Sequence, residues 1–165
     1  MMLGQLAEKG YTFTDDEAEA DIAVVNSCCF IGDAKEESIN TILQLAELKT
    51  EGQLKALIVC GCLAQRYKDE IQTEIPEVDA IIGTTAIDMI VETVDSVLAG
   101  KSENHLEDID RACVYGVPRS VTTGGHFAYL KIAEGCNKRC TYCVIPSVRG
   151  NYRSIPMESL VREAK

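Results

Sequence analysis

Three apolar runs, each followed by a stretch of helical periodicity, restrict the fold more than any other feature of the chain. The run ADIAVVN (20–26) is short and rich in β-branched residues, the pattern of a strand buried on both faces. Behind it, DAKEESINTILQLAELK (33–49) sets Ile39, Ile42, Leu43 and Ala46 at helical spacing, with Asp33 and Glu36 read as a capping pair. The unit repeats as KALIVCGC (55–62) and LAQRYKDEIQTE (63–74), a shorter helix stopped before Pro76. It repeats again as VDAIIG (78–83) and TTAIDMIVETVDSVLAG (84–100), where Ile87, Ile90, Val91, Val94 and Leu98 share one face. Three strand-helix units in succession predict an α/β fold with a parallel sheet and helices packed on it.

Ligands of open parallel sheets sit just beyond the carboxyl ends of the strands. Cysteines lie at two of those ends: Cys28 and Cys29 after the first run, Cys60 and Cys62 at the close of the second. Cys60 reads as a core residue, since a free thiol packs well among apolar side chains. Cys62 follows a glycine that lets the backbone turn, which makes it the better ligand candidate.

The chain has eight cysteines in 165 residues, and the first 21 lack the basic start and apolar stretch of a secretory signal. No run approaches the roughly 18 apolar residues of a membrane span. The expected location is therefore the cytosol, where clustered thiols stay reduced and hold metal or carry redox chemistry rather than form a disulfide framework. A net charge of −10 argues against a general nucleic-acid binder. That charge is uneven, because residues 131–153 carry five basic residues and one acid.

Within the basic region, EGCNKRCTYCVIP (134–146) places Cys136, Cys140 and Cys143 inside eight positions. A structural zinc site prefers four closed ligands, and no histidine stands nearby to complete this set. An iron-sulfur cluster that only transfers electrons also takes four cysteines. Three thiolates suit a cluster that leaves one iron open to a small molecule, as catalytic metal sites do. A zinc-holding, non-catalytic binding domain is the competing reading. Residues 101–125 lack a sustained period and read as a linker with room for one short strand. Cys113, His105 and His126 stand outside any ligand spacing and are assigned no role. A second unit opens at FAYLKIAEGC (127–136), a strand leading into the cysteine loop, and MESLVREAK (157–165) reads as a helix.

The stretch YLKIAEGCNKRCTYCVIPSVRGNYRS (129–154), with its C-x-x-x-C-x-x-C spacing, resembles the methylthiotransferase branch of the radical S-adenosylmethionine enzymes. ADIAVVNSCCFIGDAKEESI and VCGCLAQRY resemble two motifs of that branch's N-terminal domain. The resemblance implies a Rossmann-like N-terminal domain over 1–100, a linker over 101–125, and, over 126–165, the first strand, cluster loop and helix of a truncated partial TIM barrel. It implies two 4Fe-4S clusters and S-adenosylmethionine as cofactors. Cys136, Cys140 and Cys143 match the ligands of the first cluster, and Cys28 and Cys62 match ligands of the second. Cys29 and Cys60 match no family ligand. Tyr142 is a candidate to pack on the cofactor, and Arg149 and Arg153 to pair with carboxylates of cofactor or substrate.

YLKIAEGC, CVIPSVRG and FIGDAKEES resemble the subfamily that adds a methylthio group to the β-carbon of an aspartate of ribosomal protein S-twelve. Modification of a tRNA adenosine by the sister subfamily is the alternative. The resemblance also implies an electron donor such as flavodoxin or ferredoxin, and no membrane partner. It sets the start of this chain just after the family's first motif and its end inside the barrel. The second cluster is therefore expected to lack a ligand, and the chain to have little or no activity alone.

Overall fold

The computed structural model describes residues 1–52 and 54–165. In chain order the first part runs α1 (Met2–Lys9), β1 (Ile22–Ser27), α2 (Gly32–Thr50), β2 (Ala56–Gly61), α3 (Cys62–Arg66), α4 (Lys68–Glu74), β3 (Ala80–Ile82) and α5 (Ile90–Leu98). The three strands are parallel in the order β1-β2-β3, with Ile22 opposite Ala56, Ser27 opposite Gly61, and Ile58 opposite Ala80. Every residue of β2 is buried, as a central strand covered on both faces requires.

Pleating divides β2 between two cores. Leu57 and Val59 face Ile42 and Leu45 of α2, Leu63 of α3 and Ile71 of α4. Ala56, Ile58 and Cys60 face Leu6 of α1 and Ile90, Val94 and Val97 of α5. Helix α1 has no counterpart in the sequence reading, although its Leu6 is buried and Gly10 closes it in the left-handed conformation.

Several local expectations are corrected by packing. The buried stripe of α2 runs through Ser38, Ile42, Leu45 and Ala46, while Leu43 is exposed. Ser38 joins the stripe because its hydroxyl has work there: it accepts from the Cys28 amide at 2.9 Å and donates to the Ala34 carbonyl at 2.8 Å. Asp33 and Glu36 form no capping pair, since α2 starts behind an extended Ile31 with no side-chain cap. The single helix expected over 63–74 breaks at Tyr67 (φ −123°, ψ 34°), whose ring lies 4.2 Å beneath the Lys35 ammonium. In α5 it is Val97 that is buried, and Leu98 faces outward.

The segment after residue 100 returns to the sheet edge, where His105 makes one parallel bridge to Ile82. Beyond it come β4 (Ala133–Glu134), α6 (Ile145–Arg149), β5 (Arg153–Ser154) and α7 (Met157–Ala164). The strand expected over 127–136 is only the two residues of β4, paired antiparallel with β5. A strand persists as far as a neighbour satisfies its backbone groups. Phe127, Tyr129, Leu130 and Ile132 accordingly stay exposed. The firm attachment of this region is α6: Val148 is 3% exposed within the core that holds Leu63 and Ala64, and the Thr84 hydroxyl donates to its carbonyl at 2.7 Å. No helix among the described residues is long and apolar enough to cross a membrane.

Candidate metal centre

Because Ser27 and Gly61 are register partners, Cys28 and Cys62 are the next residues after neighbouring strands, at the carboxyl edge of the sheet. Gly61 turns the chain there with φ 98°, and Cys62 opens α3. Ser27 supports that turn by donating to the Cys60 carbonyl at 2.6 Å and accepting from the Ala64 amide at 3.4 Å. The hydroxyl thereby serves one of the unpaired amides at the start of α3.

The other two thiols of this region point elsewhere. Cys29 is buried, and its thiol donates to the Cys62 carbonyl at 3.3 Å. Burial foremost, then the neighbouring charge of Cys62, pushes the Cys29 thiol above its ordinary value, while Arg66 pulls the other way. Cys60 lies on the opposite face of the sheet, fully buried, 3.4 Å from the Val25 carbonyl. Its burial pushes the thiol up to about 12.

A test follows from the chemistry of Cys60. A thiol reacts as its thiolate, so Cys60 is expected to resist iodoacetamide at pH 8 until the protein unfolds. The unfolded thiol ionises at a lower pH than the native one, so native stability falls as pH rises above the ordinary thiol value toward 12. Peptide mapping after native and denatured alkylation checks this; rapid native labelling of Cys60 would contradict the burial.

The cysteine loop lies between β4 and α6. The Cys136 amide donates to the Gly150 carbonyl at 3.1 Å, and the Cys143 amide to the Cys140 carbonyl at 3.0 Å. Arg139 sits between the first two cysteines at φ 48°, a left-handed conformation that side chains rarely adopt. The Lys138 amide points at the Cys136 sulfur at 3.5 Å. Cys136 and Cys143 are half-buried, Cys140 is exposed, and none is in a disulfide. Tyr142 is 89% exposed.

Arginine joins the two regions. Arg149 donates from Nε to the Cys62 sulfur at 3.1 Å and from Nη1 to Glu134 Oε1 at 3.2 Å. Burial works to lower its pKa, yet the charges of Cys62 and Glu134, with the hydrogen bonds to both, hold the guanidinium above its ordinary value. Glu134 also pairs with Lys131. Arg153 pairs with Asp110 at 3.3 Å and donates to the Arg149 carbonyl at 3.1 Å. Both arginines, read from sequence as partners for cofactor or substrate, thus have partners within the chain. Nothing in a linear pattern indicates which thiol or carboxylate an arginine reaches. The one signal was the concentration of positive charge around the loop.

The donor sets differ in how well they suit a cluster. The loop offers three reduced thiols and an amide directed at one sulfur, a feature that tunes iron-sulfur sites, so its chemistry fits a three-thiolate cluster. At the sheet edge two thiols follow paired strand ends, the Cys29 thiol is turned to the Cys62 carbonyl, and Cys60 lies across the sheet. Those residues do not fit a three-thiolate cluster as they stand. Among the described residues no three His, Cys, Asp or Glu side chains are gathered closely enough to hold a metal ion. The loop would have to draw its thiols together on binding.

A parallel α/β unit with thiols at its strand ends is thus followed by a separate three-thiol loop. Comparison with known proteins identifies the unit: residues 1–83 match the family described as Uncharacterized protein family UPF0004, and the chain belongs to that family. It is also 59% identical over its whole length to the ribosomal protein uS12 methylthiotransferase RimO of Lachnoclostridium phytofermentans, covering 38% of that protein. Proteins of the same name from Clostridioides difficile and Trichlorobacter lovleyi are 50% and 48% identical, again across all of this chain and 37% of theirs. The chain therefore spans well under half the length of the curated relatives it matches.

Proposed function

We propose that this chain is the N-terminal portion of a methylthiotransferase that acts on an aspartate of ribosomal protein uS12 in the cytosol. The observation that carries the reading is the 59% identity to a protein of that name across all 165 residues. In this reading residues 1–100 form the N-terminal domain, 101–125 the linker and 126–165 the start of the radical S-adenosylmethionine domain. Cys136, Cys140 and Cys143 hold a 4Fe-4S cluster. When bound, that cluster supplies an open coordination position and the electron that cleaves S-adenosylmethionine, delivered by a flavodoxin or ferredoxin.

The chain's own residues prepare that site. The Lys138 amide is directed at the Cys136 sulfur. Main-chain bonds from Cys136 to Gly150 and from Cys143 to Cys140 shape the loop. Exposed Tyr142 stands between two of the thiols, available to cover a bound nucleoside. Cys28 and Cys62 supply thiols at the sheet edge, and because the Cys29 thiol is turned to the Cys62 carbonyl and Cys60 faces away, no step is assigned to a second cluster.

The test is to join this chain to the remaining C-terminal part of the Lachnoclostridium relative and express the fusion in a strain lacking its own uS12 methylthiotransferase. Intact-mass analysis is expected to show uS12 heavier by one methylthio group. Modified tRNA adenosines with unmodified uS12 would assign the chain to the tRNA-modifying branch. Neither product, with the relative's complete chain active in parallel, would favour a non-catalytic role.

A further inference from the structure

We propose that Arg149 is a positioning residue that ties the cysteine loop to Cys62 and so fixes the mutual placement of the two groups of cysteines. The inference rests on contacts within the chain and goes beyond the proposed activity. Arg149 is the last residue of α6, six positions after Cys143, and Glu134 lies two positions before Cys136. One guanidinium therefore grips both flanks of the loop: its own backbone holds the exit, and its Nη1 holds Glu134 at the entrance. The Nε of the same group reaches the Cys62 sulfur. A guanidinium presents its donors in a fixed planar fork, so aiming it at Glu134 also aims it at Cys62.

The surroundings make this grip effective. Side-chain exposure is 32% for Arg149 and 13% for Glu134, so water replaces these bonds poorly. Arg153 Nη2 donates to the Arg149 carbonyl and steadies the backbone below the side chain. Val148, the preceding residue, is buried against α3, the helix that Cys62 opens. The Thr84 hydroxyl, donating to the Val148 carbonyl at 2.7 Å, holds the backbone of α6 at that contact. The three-point fork determines which way the loop faces.

Amide hydrogen exchange on the full chain tests this without any bound cofactor. In Arg149→Ala, amides of residues 134–150 are expected to exchange at least about tenfold faster, because the charge-assisted hydrogen bonds to Cys62 and Glu134 are both lost, while β2 amides keep their protection. Arg149→Lys keeps the charge but has a single ammonium for two partners, and is expected to restore only part of the protection. Adding Cys62→Ala to Arg149→Ala is expected to accelerate exchange no further, because both changes remove the same contact. Unchanged exchange in Arg149→Ala, or effects of the two substitutions that simply add, would overturn the proposal. Should β2 also lose protection in Arg149→Ala, Glu134→Gln and Cys62→Ala decide, since each removes one arm and leaves the arginine. Faster exchange confined to 134–150 in both supports the fork, and no change in either refutes it.

Discussion

Replacing Gly61 by alanine is expected to destabilise the fold by about 4 kcal/mol. The residue ends β2 at φ 98°, and an added Cβ would lie 2.5 Å from the Ser27 carbonyl oxygen and 3.0 Å from Asn26 Oδ1. The first neighbour is backbone of a paired strand and cannot swing aside. The left-handed conformation contributes about 1–3 kcal/mol to the penalty and the forced separation of β1 from β2 a similar amount. Chains of this size have only about 5–15 kcal/mol of stability, so the melting temperature should fall by roughly 10 °C or more. Gly10→Ala is the internal control: φ is 99° there, but nothing lies within 4 Å of the added carbon. It should lose less, because ψ is 9° at Gly10, in the left-handed helical region, against −156° at Gly61, a conformation nearly confined to glycine, and no collision is added. Urea unfolding of the two variants checks this, and equal losses would overturn the expectation.

The same glycine shows why some of this protein was legible in its sequence and some was not. β2 could be read because a run of β-branched and apolar residues between turn signals has few other uses, and its burial on both faces bears that out. The parallel sheet followed from strand-helix alternation, which leaves few topologies open. A glycine before Cys62 suggested a turn, yet that the turn would separate Cys60 and Cys62 onto opposite faces of the sheet depends on a dihedral angle that composition does not encode. The break at Tyr67 was hidden for a similar reason, since the residues on either side of it are good helix formers.

The C-terminal region was the least legible. FAYLKIAEGC has the residues of a strand, but only two of them find a partner, because strand propensity expresses a fit to neighbours more than an intrinsic preference. The cysteine spacing was visible at once. The docking of the loop through Val148, Thr84 and Arg149 was not, since each contact joins residues more than sixty positions apart. Charge patterning placed positive residues around the cysteines and could say nothing of Glu134 and Cys62 as the partners of Arg149.

Cys136→Ala is expected to abolish iron binding at the loop after anaerobic reconstitution with iron and sulfide. The wild-type chain should take up about four irons with matching acid-labile sulfide and turn brown. Removing one of three thiolates leaves two on an exposed turn, too few to hold a cluster against solvent. The substitution itself should be mild for the fold, because the Cys136 amide keeps its bond to Gly150 and the side chain gives up only the long contact from the Lys138 amide at 3.5 Å. Loss of iron with an unchanged melting curve therefore reports ligation. Cys113→Ser is the matching control, since that thiol lies outside the loop and makes only a long contact, 3.7 Å, to the Arg153 carbonyl. Iron retained at the wild-type level in Cys136→Ala would move the site to Cys28 and Cys62. Amide exchange across 134–150 would then decide whether Cys62 keeps Arg149: unchanged exchange on iron binding means that the hydrogen bond to the ligated sulfur persists, and faster exchange means that the loop has lost this anchor.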